Sequence, residues 1–354
     1  MFLSVEKLGL RSYLAKRIIY SFILVLIVII LNFIIFFAMP GDPYGQFIPP
    51  QKLTKAQLEA LRNYWGYYDP QWLKLVKYMW NLLRFDFGKS VRNYQPVAEQ
   101  MLARIPYTLI LLGGSTVLAV IIGVYLGVLV AERRGGLFDT GAVTTSLVTF
   151  SLPTFWMGLI AILIFSVTLR WFAVGLAHPP NWDLAGFPTP AMVSAQVFPN
   201  VVLSLNPANI VEMVRGYLYH GFLPIFVLTI FQYGGYLLLT RATMIEALTE
   251  DYIVTARAKG LSERTVLFKH ALKNASLPII TSIALSFGFV LSGAIITETV
   301  FSWPGLGTWI WDAIITANYP VLMADFYVIA ICSIISIFIA DLIYGIIDPR
   351  IHYG

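Results

Sequence analysis

Apolar residues fall along this chain in long uninterrupted runs. Six are long enough to cross about 30 Å of hydrocarbon, which takes about 20 helical residues. They extend from Ile18 to Met39, Ile105 to Ala131, Thr140 to Leu169, Phe222 to Thr240, Ser276 to Ile296 and Val321 to Ile347. The first is charge-free, too long for a signal-peptide core and without a small-residue cleavage site, so it reads as a retained anchor. Only the last holds acids, Asp325 near one end and Asp341 near the other. At those ends both carboxylates are expected to reach the interface. The pattern predicts an all-α, polytopic membrane protein with six transmembrane helices.

Shorter patterns fill the gaps. Trp72, Leu75, Val76, Met79, Leu82 and Leu83 recur at helical spacing with Lys74, Lys77 and Arg84 around them, which predicts an amphipathic interfacial helix. The first dozen residues read as a second interfacial helix. The 171–220 segment, with Pro179, Pro180, Pro188, Pro190, Pro199 and Pro207, is expected to be irregular. The organisation is then an interfacial segment over residues 1–17 and a transmembrane domain over 18–354. That domain includes an external insertion at 40–104, an external loop at 170–221 and a cytoplasmic loop at 241–275.

Positive charge gives the direction. Lys7, Arg11, Lys16 and Arg17 precede the first run, and Arg133 and Arg134 follow the second. Arg241, Arg257, Lys259, Arg264, Lys269 and Lys273 follow the fourth, whereas 171–220 offers only Arg215. Short basic loops stay in the cytoplasm, so both termini are expected inside. The nine Lys and Arg of residues 40–104 do not reverse this, because loops longer than about 60 residues cross largely regardless of charge.

Composition agrees with the pattern. Hydrophobic residues are 58% of 354 and charged residues 12%, against about 45–50% and about 25% in an ordinary soluble domain. The mean hydropathy is +0.74. The single cysteine, Cys332, excludes an internal disulfide and a cysteine metal cluster, and His178, His220, His270 and His352 lack ligand spacing. No feature points to nucleic acid; the expected surroundings are lipid.

The segment between the fourth and fifth runs, Glu246 to Asn274, carries the functional signal. Two short helical patterns meet at Gly260, which suits a helix end turning through positive φ, and Ser262 can cap the second pattern. A basic helix–turn–helix between two spans reads as a docking element. The string Thr255-Ala-Arg-Ala-Lys-Gly-Leu-Ser262 resembles the coupling loop of ABC importer permeases, specifically the first-permease type of the dipeptide/oligopeptide family. The general importer signature Glu-Ala-Ala-x3-Gly-x9-Ile-x-Leu-Pro falls on Val254-Thr255-Ala256, Gly260 and His270-x-Leu272-Lys273, so its leading Glu and closing Pro are absent.

The resemblance extends along the chain. It includes Pro40-Gly41-Asp42-Pro43, Phe85-Asp86-Phe87-Gly88-Lys89-Ser90, Pro96-Val97, Pro106-Tyr-Thr-Leu and Ser151-Leu-Pro153-Thr-Phe155-Trp156. It continues through Glu298-Thr-Val-Phe301-Ser-Trp303-Pro304-Gly305-Leu-Gly307, Asn318-Tyr319-Pro320-Val321 and Asp348-Pro349-Arg350-Ile351. It implies a type I ABC importer fold in the cell membrane, a second homologous permease, two ATP-binding subunits and an extracytoplasmic solute-binding protein. ATP and Mg would sit in the partner subunits, with no cofactor bound by this chain. Coupling would fall on Tyr252, Thr255, Ala256, Arg257, Ala258, Lys259, Gly260, Leu261 and Ser262, and transport would follow alternating access. The cargo would be oligopeptides or oligosaccharides, with nickel a further case. Trp303, Pro304, Gly305 and Gly307 are expected at an outer gate where ligand is handed over, and Pro153 is expected to kink the third span by removing a backbone donor.

Other classes fit less well. Gly88-Lys89-Ser90 ends like a phosphate loop, but Leu83 stands where the first glycine is required. Asp325 and Asp341 would lie about 24 Å apart on an ideal helix, too far to act as a catalytic pair. A stand-alone secondary transporter or channel is the alternative. Such proteins place ionisable groups near the midplane, and the cores of the first five runs are charge-free.

Overall fold

Runs of Leu, Ile, Val and Phe with few β-breaking residues can satisfy every backbone group only by coiling into helices when lipid surrounds them. The computed structural model describes residues 10–37, 54–64, 68–179 and 207–347. These form α1 (Leu10–Phe37), α2 (Lys55–Tyr64), α3 (Gln71–Leu83), α4 (Val97–Glu132), α5 (Leu137–Ser151) and α6 (Thr154–Thr168). They continue as α7 (Pro207–Leu248), α8 (Asp251–Ala258), α9 (Glu263–Ser292), α10 (Ile295–Val300), α11 (Leu306–Ile315) and α12 (Tyr319–Ile347). Five helices are long and apolar enough to cross a membrane, and the bent pair α5–α6, taken as one span, brings the number to six. Among the described residues the one non-helical pairing is an isolated bridge between Lys89 and Pro96. The fold is all-α and polytopic.

Several boundaries differ from the hydrophobic runs. The second span starts at Val97 rather than Ile105, because Pro106 is tolerated inside the helix and a widened π turn follows at Leu109–Gly113. The fourth starts at Pro207, so the end of the segment expected to be irregular is helical. Pro207 suits a helix start, where no N–H donor is needed. From Leu10 the chain runs unbroken into the first span. The third is no single rod: its limbs meet at 96° across Leu152 and Pro153, both extended. Residues 1–9, Pro40–Pro43, the prolines from Pro180 to Pro199 and the Asp348–Ile351 ending lie outside the described residues.

The two acids of the last span, Asp325 and Asp341, are both buried in protein, and α1 packs lengthwise against α12. Arg17 forms a two-pronged ion pair with Asp341 at 3.0 Å, and Asn32 Nδ2 donates to the Met323 carbonyl at 2.9 Å. The amphipathic helix α3 buries Tyr78 and Leu82 and leaves Trp72, Val76, Trp80 and Leu83 as an outward apolar stripe.

The closest pairing in the bundle joins α4 to α7. A side chain at Gly123 would place its first carbon 2.6 Å from the Tyr233 carbonyl oxygen, and one at Gly127 would lie 2.8 Å from that of Leu237. The two glycines, four apart, let the backbones touch, as small residues do where hydrophobicity cannot drive helices together. Gly123→Ala is therefore expected to destabilise the purified chain by about 1–3 kcal/mol through overpacking. Gly141→Ala, with nothing within 4 Å, should leave the melting midpoint in detergent unchanged or raised. Scanning calorimetry of both variants checks the contrast.

Candidate functional site: an exposed docking helix and a buried carboxylate

At the end of the bundle where α4 and α7 finish and α5 and α9 begin, α8 lies across the span ends. Ile253 and Ala256, one turn apart, are buried against Val128, Ala131, Met244, Ala247, Val266 and Leu267. The rest of α8 turns outward: Val254 is 63% exposed, and Thr255, Arg257, Ala258 and Lys259 are exposed beside it. Tyr252 packs at the edge of the apolar cluster.

The turn after α8 is closed by its own chemistry. Gly260, at φ +74°, donates to the Arg257 carbonyl at 2.9 Å, and Leu261 N–H reaches the Ala256 carbonyl at 3.4 Å. This pair of bonds is the glycine-terminated helix end that an L side chain strains. Ser262 Oγ then accepts from the Thr265 amide at 3.4 Å and caps α9. Across the turn, Arg257 grips Glu263 with two bonds of 2.6 and 3.2 Å. That contact holds the Arg257 guanidinium above its ordinary range. A second fork nearby joins Arg241 of α7 to the buried Asp139 of α5 at 2.6 and 2.7 Å.

At the opposite end, the Gly–Pro-rich run after α9 forms a knot around Glu298. Gly293, at φ +71°, breaks the helix, and α10 carries Glu298 inward until it is fully buried. One carboxylate oxygen accepts from the Ala294 amide at 3.3 Å and the Thr108 hydroxyl at 3.4 Å, and the other from the Thr308 amide at 2.9 Å. Thr108 Oγ1 also accepts from the Leu306 amide at 2.8 Å. The acid therefore sits on the N-terminus of α11, whose unpaired N–H groups and dipole favour an anion. Glycine is required here for space. A first side-chain carbon at Gly305 would lie 2.6 Å from both Glu298 Oε2 and Thr108 Oγ1, and one at Gly307 would lie 2.8 Å from the same carboxylate oxygen.

The residues expected at an outer gate thus divide. Trp303, Gly305 and Gly307 are buried in the knot, with Trp303 Nε1 donating to the Tyr107 carbonyl at 2.9 Å, while Pro304 is exposed. Pro153 starts α6, whose Gly158 faces the Phe301 ring, and Leu176 N–H bonds the Phe301 carbonyl at 2.9 Å. Of the residues expected to couple, the structure gathers Thr255 and Arg257 to Ser262 into one exposed surface with Tyr252 at its edge, turns Ala256 inward as an anchor, and places the knot at the far end of the bundle. Glu298 and Thr108 stand inside the quoted motifs with no role of their own in the sequence, and Asp139 stands in none of them. The signal for Glu298 is a lone acid just before a Gly-x-Gly helix start, a pattern with a physical meaning only once Gly305 and Gly307 surround it.

Comparison with known proteins follows the same outline. The family described as "Binding-protein-dependent transport system inner membrane component" matches residues 123–353, and its N-terminal companion matches residues 10–112. Oligopeptide transport system permease protein AppB of Bacillus subtilis (strain 168) is 37% identical over 345 residues, covering 97% of this chain and 100% of the relative. Dipeptide transport system permease protein DppB of Escherichia coli (strain K12) is 34% identical over 339 residues, covering 92% of this chain and 94% of the relative.

Glu298→Ala removes the acceptor for three buried donors and should destabilise the chain strongly, by about 1–3 kcal/mol for each donor left unpaired. Glu298→Gln, which keeps one carbonyl oxygen, should cost less, and the exposed Pro304→Ala should leave stability near wild type. Differential scanning fluorimetry of the three variants in detergent measures the order.

Proposed function

The chain belongs to the family of binding-protein-dependent transport system inner membrane components, and from that premise we propose that it is one permease subunit of an ATP-driven ABC importer for peptides. The observation that carries the proposal is α8. Its inner face is anchored to the ends of α4, α7 and α9 by Ile253 and Ala256, while Val254, Arg257, Lys259 and Leu261 form an exposed apolar and basic surface. An anchored helix of this kind suits a cleft in a cytoplasmic ATP-binding subunit. The short clipped turn at Gly260 would pass its displacement directly into α9.

In this reading the α8 end of the bundle and both termini are cytoplasmic, consistent with the basic loops there. A second, similar permease pairs with this one in the cell membrane, two ATP-binding subunits hold ATP and Mg, and a solute-binding protein delivers cargo at the knot end. The bundle then alternates access between the two faces. Peptide is favoured over oligosaccharide because both named relatives are peptide permeases.

Gly260→Asp tests the coupling. It places an L side chain at φ +74° and an acid into a basic turn, so the docking surface is distorted while the spans are untouched. Peptide uptake per ATP hydrolysed in proteoliposomes should fall about tenfold, which corresponds to about 1.4 kcal/mol of lost coupling, with membrane-inserted protein unchanged. Wild-type uptake per ATP in this variant would defeat the assignment. So would recovery of the native protein as a lone, ATP-independent transporter.

A further inference from the structure

Beside the knot a cavity of about 820 Å³ opens between α4, α6, α7, α9, α10 and α11. The broken third span and the end of α9 both meet it: Thr154 lies just past the Pro153 elbow, and Gly293 and Ala294 form the break after α9. Irregular backbone at membrane depth is tolerated only where it is buried in protein or lines a cavity, and discontinuous helices are where transporters place their substrates.

The chemistry of the wall is specific. Its polar side chains include Thr116, Thr154, Gln232, Ser282, Ser286, Ser292 and Thr297, and no described residue lining it is charged. Phe231, Phe289 and Trp311 supply apolar surface between them. Gln232 stands at the middle of the Val214–Leu248 span and is held rigidly. Its amide nitrogen donates to Ser115 Oγ and to the Leu228 carbonyl, each at 3.2 Å, and its oxygen accepts from Thr116 Oγ1 at 3.1 Å. That oxygen keeps a further lone pair for an incoming N–H donor. Ser286 is fixed likewise, accepting from Tyr236 Oη at 2.6 Å.

We propose that this cavity is the part of the passage contributed by this chain, that it handles a peptide through uncharged hydroxyl and amide contacts, and that Gln232 is the specificity-determining residue that keeps it indifferent to side-chain charge. The inference rests on the importer reading above. A peptide's backbone offers the same N–H and C=O groups whatever its sequence, so a wall of neutral donors and acceptors engages all sequences alike. A fixed charge at Gln232 would end that indifference, because an ion in this partly desolvated space attracts one sign of cargo and repels the other.

The test uses the complete transporter with its binding protein in proteoliposomes, and labelled Ala-Ala-Ala, Ala-Lys-Ala and Ala-Glu-Ala as probes. Dividing each variant's Lys-to-Glu ratio of initial uptake rates by the wild-type ratio cancels the binding protein's own preference. Gln232→Glu should raise that quotient about tenfold and Gln232→Lys should lower it about tenfold, equivalent to about 1.4 kcal/mol each way. Thr154→Asp provides an independent charge at the first position of α6, where a helix N-terminus favours an acid, and should also raise the quotient. Quotients of one in all three variants, with uptake of all three peptides unchanged or lowered together, overturn the inference while leaving the importer reading intact. Absence of ATP-dependent uptake of every peptide by the wild-type complex overturns that reading instead, and the inference with it.

Discussion

A peptide N–H or C=O left without a partner in hydrocarbon costs several kcal/mol, so every break in a membrane helix must be repaired from within the protein. This chain breaks one span at Pro153 and ends another at Gly293, and the repairs organise much of what surrounds them. After Gly293 the repair is Glu298, whose carboxylate gathers amides from the start of α10 and the first turn of α11 together with the Thr108 hydroxyl of α4. At the elbow the helix ends on a proline, which has no N–H to satisfy, and Ser151 Oγ takes the Val148 carbonyl at 2.9 Å. Phe301 links the two repairs, since it follows α10 and packs against Gly158 of α6.

The ends of the molecule are built on opposite principles. At the knot the polar groups are sealed inside and the large side chains Phe301 and Trp303 close over them. At the other end α8 uses two residues for anchorage and leaves the rest to the surroundings. A single helix, α9, joins them: its 30 residues reach about 45 Å from the capped turn at Ser262 to the break at Gly293. A movement at one end of such a rod is felt at the other without any chain of intermediate contacts.

Much of this was readable from the chain alone. Hydrophobic length places the crossings, since α4, α7 and α12 each contain one of the runs and α1 and α9 each hold most of one. Gly260 and Ser262 identified themselves because positive φ and helix capping are local requirements, set by neighbours a few residues away. Pro153 announced a kink, but not its 96°, which depends on what α6 leans against. Glu298 with Thr108, Asp139 with Arg241, and Asp341 with Arg17 escaped notice for one reason. Each pair is separated by about a hundred residues or more, and a buried polar pair leaves no periodicity in the sequence. The burial of Asp325 and Asp341 is likewise invisible to a count from the span ends, which ignores the neighbouring elements that cover them.

The elbow at Pro153 also changes the shape that the domain presents in the plane of the bilayer. Limbs of 15 residues each are roughly 22 Å long, and at 96° their far ends stand roughly 30 Å apart. That matches the thickness of the hydrocarbon core, so the folded pair is long enough for one full crossing. Its apex, however, steps sideways by roughly 15 Å, so the cross-sectional area of the domain is greatest at the depth of the elbow. Opening that angle would lengthen the crossing and narrow its footprint together. The bilayer, through its thickness and lateral pressure, therefore bears mechanically on the angle at which the third span is set.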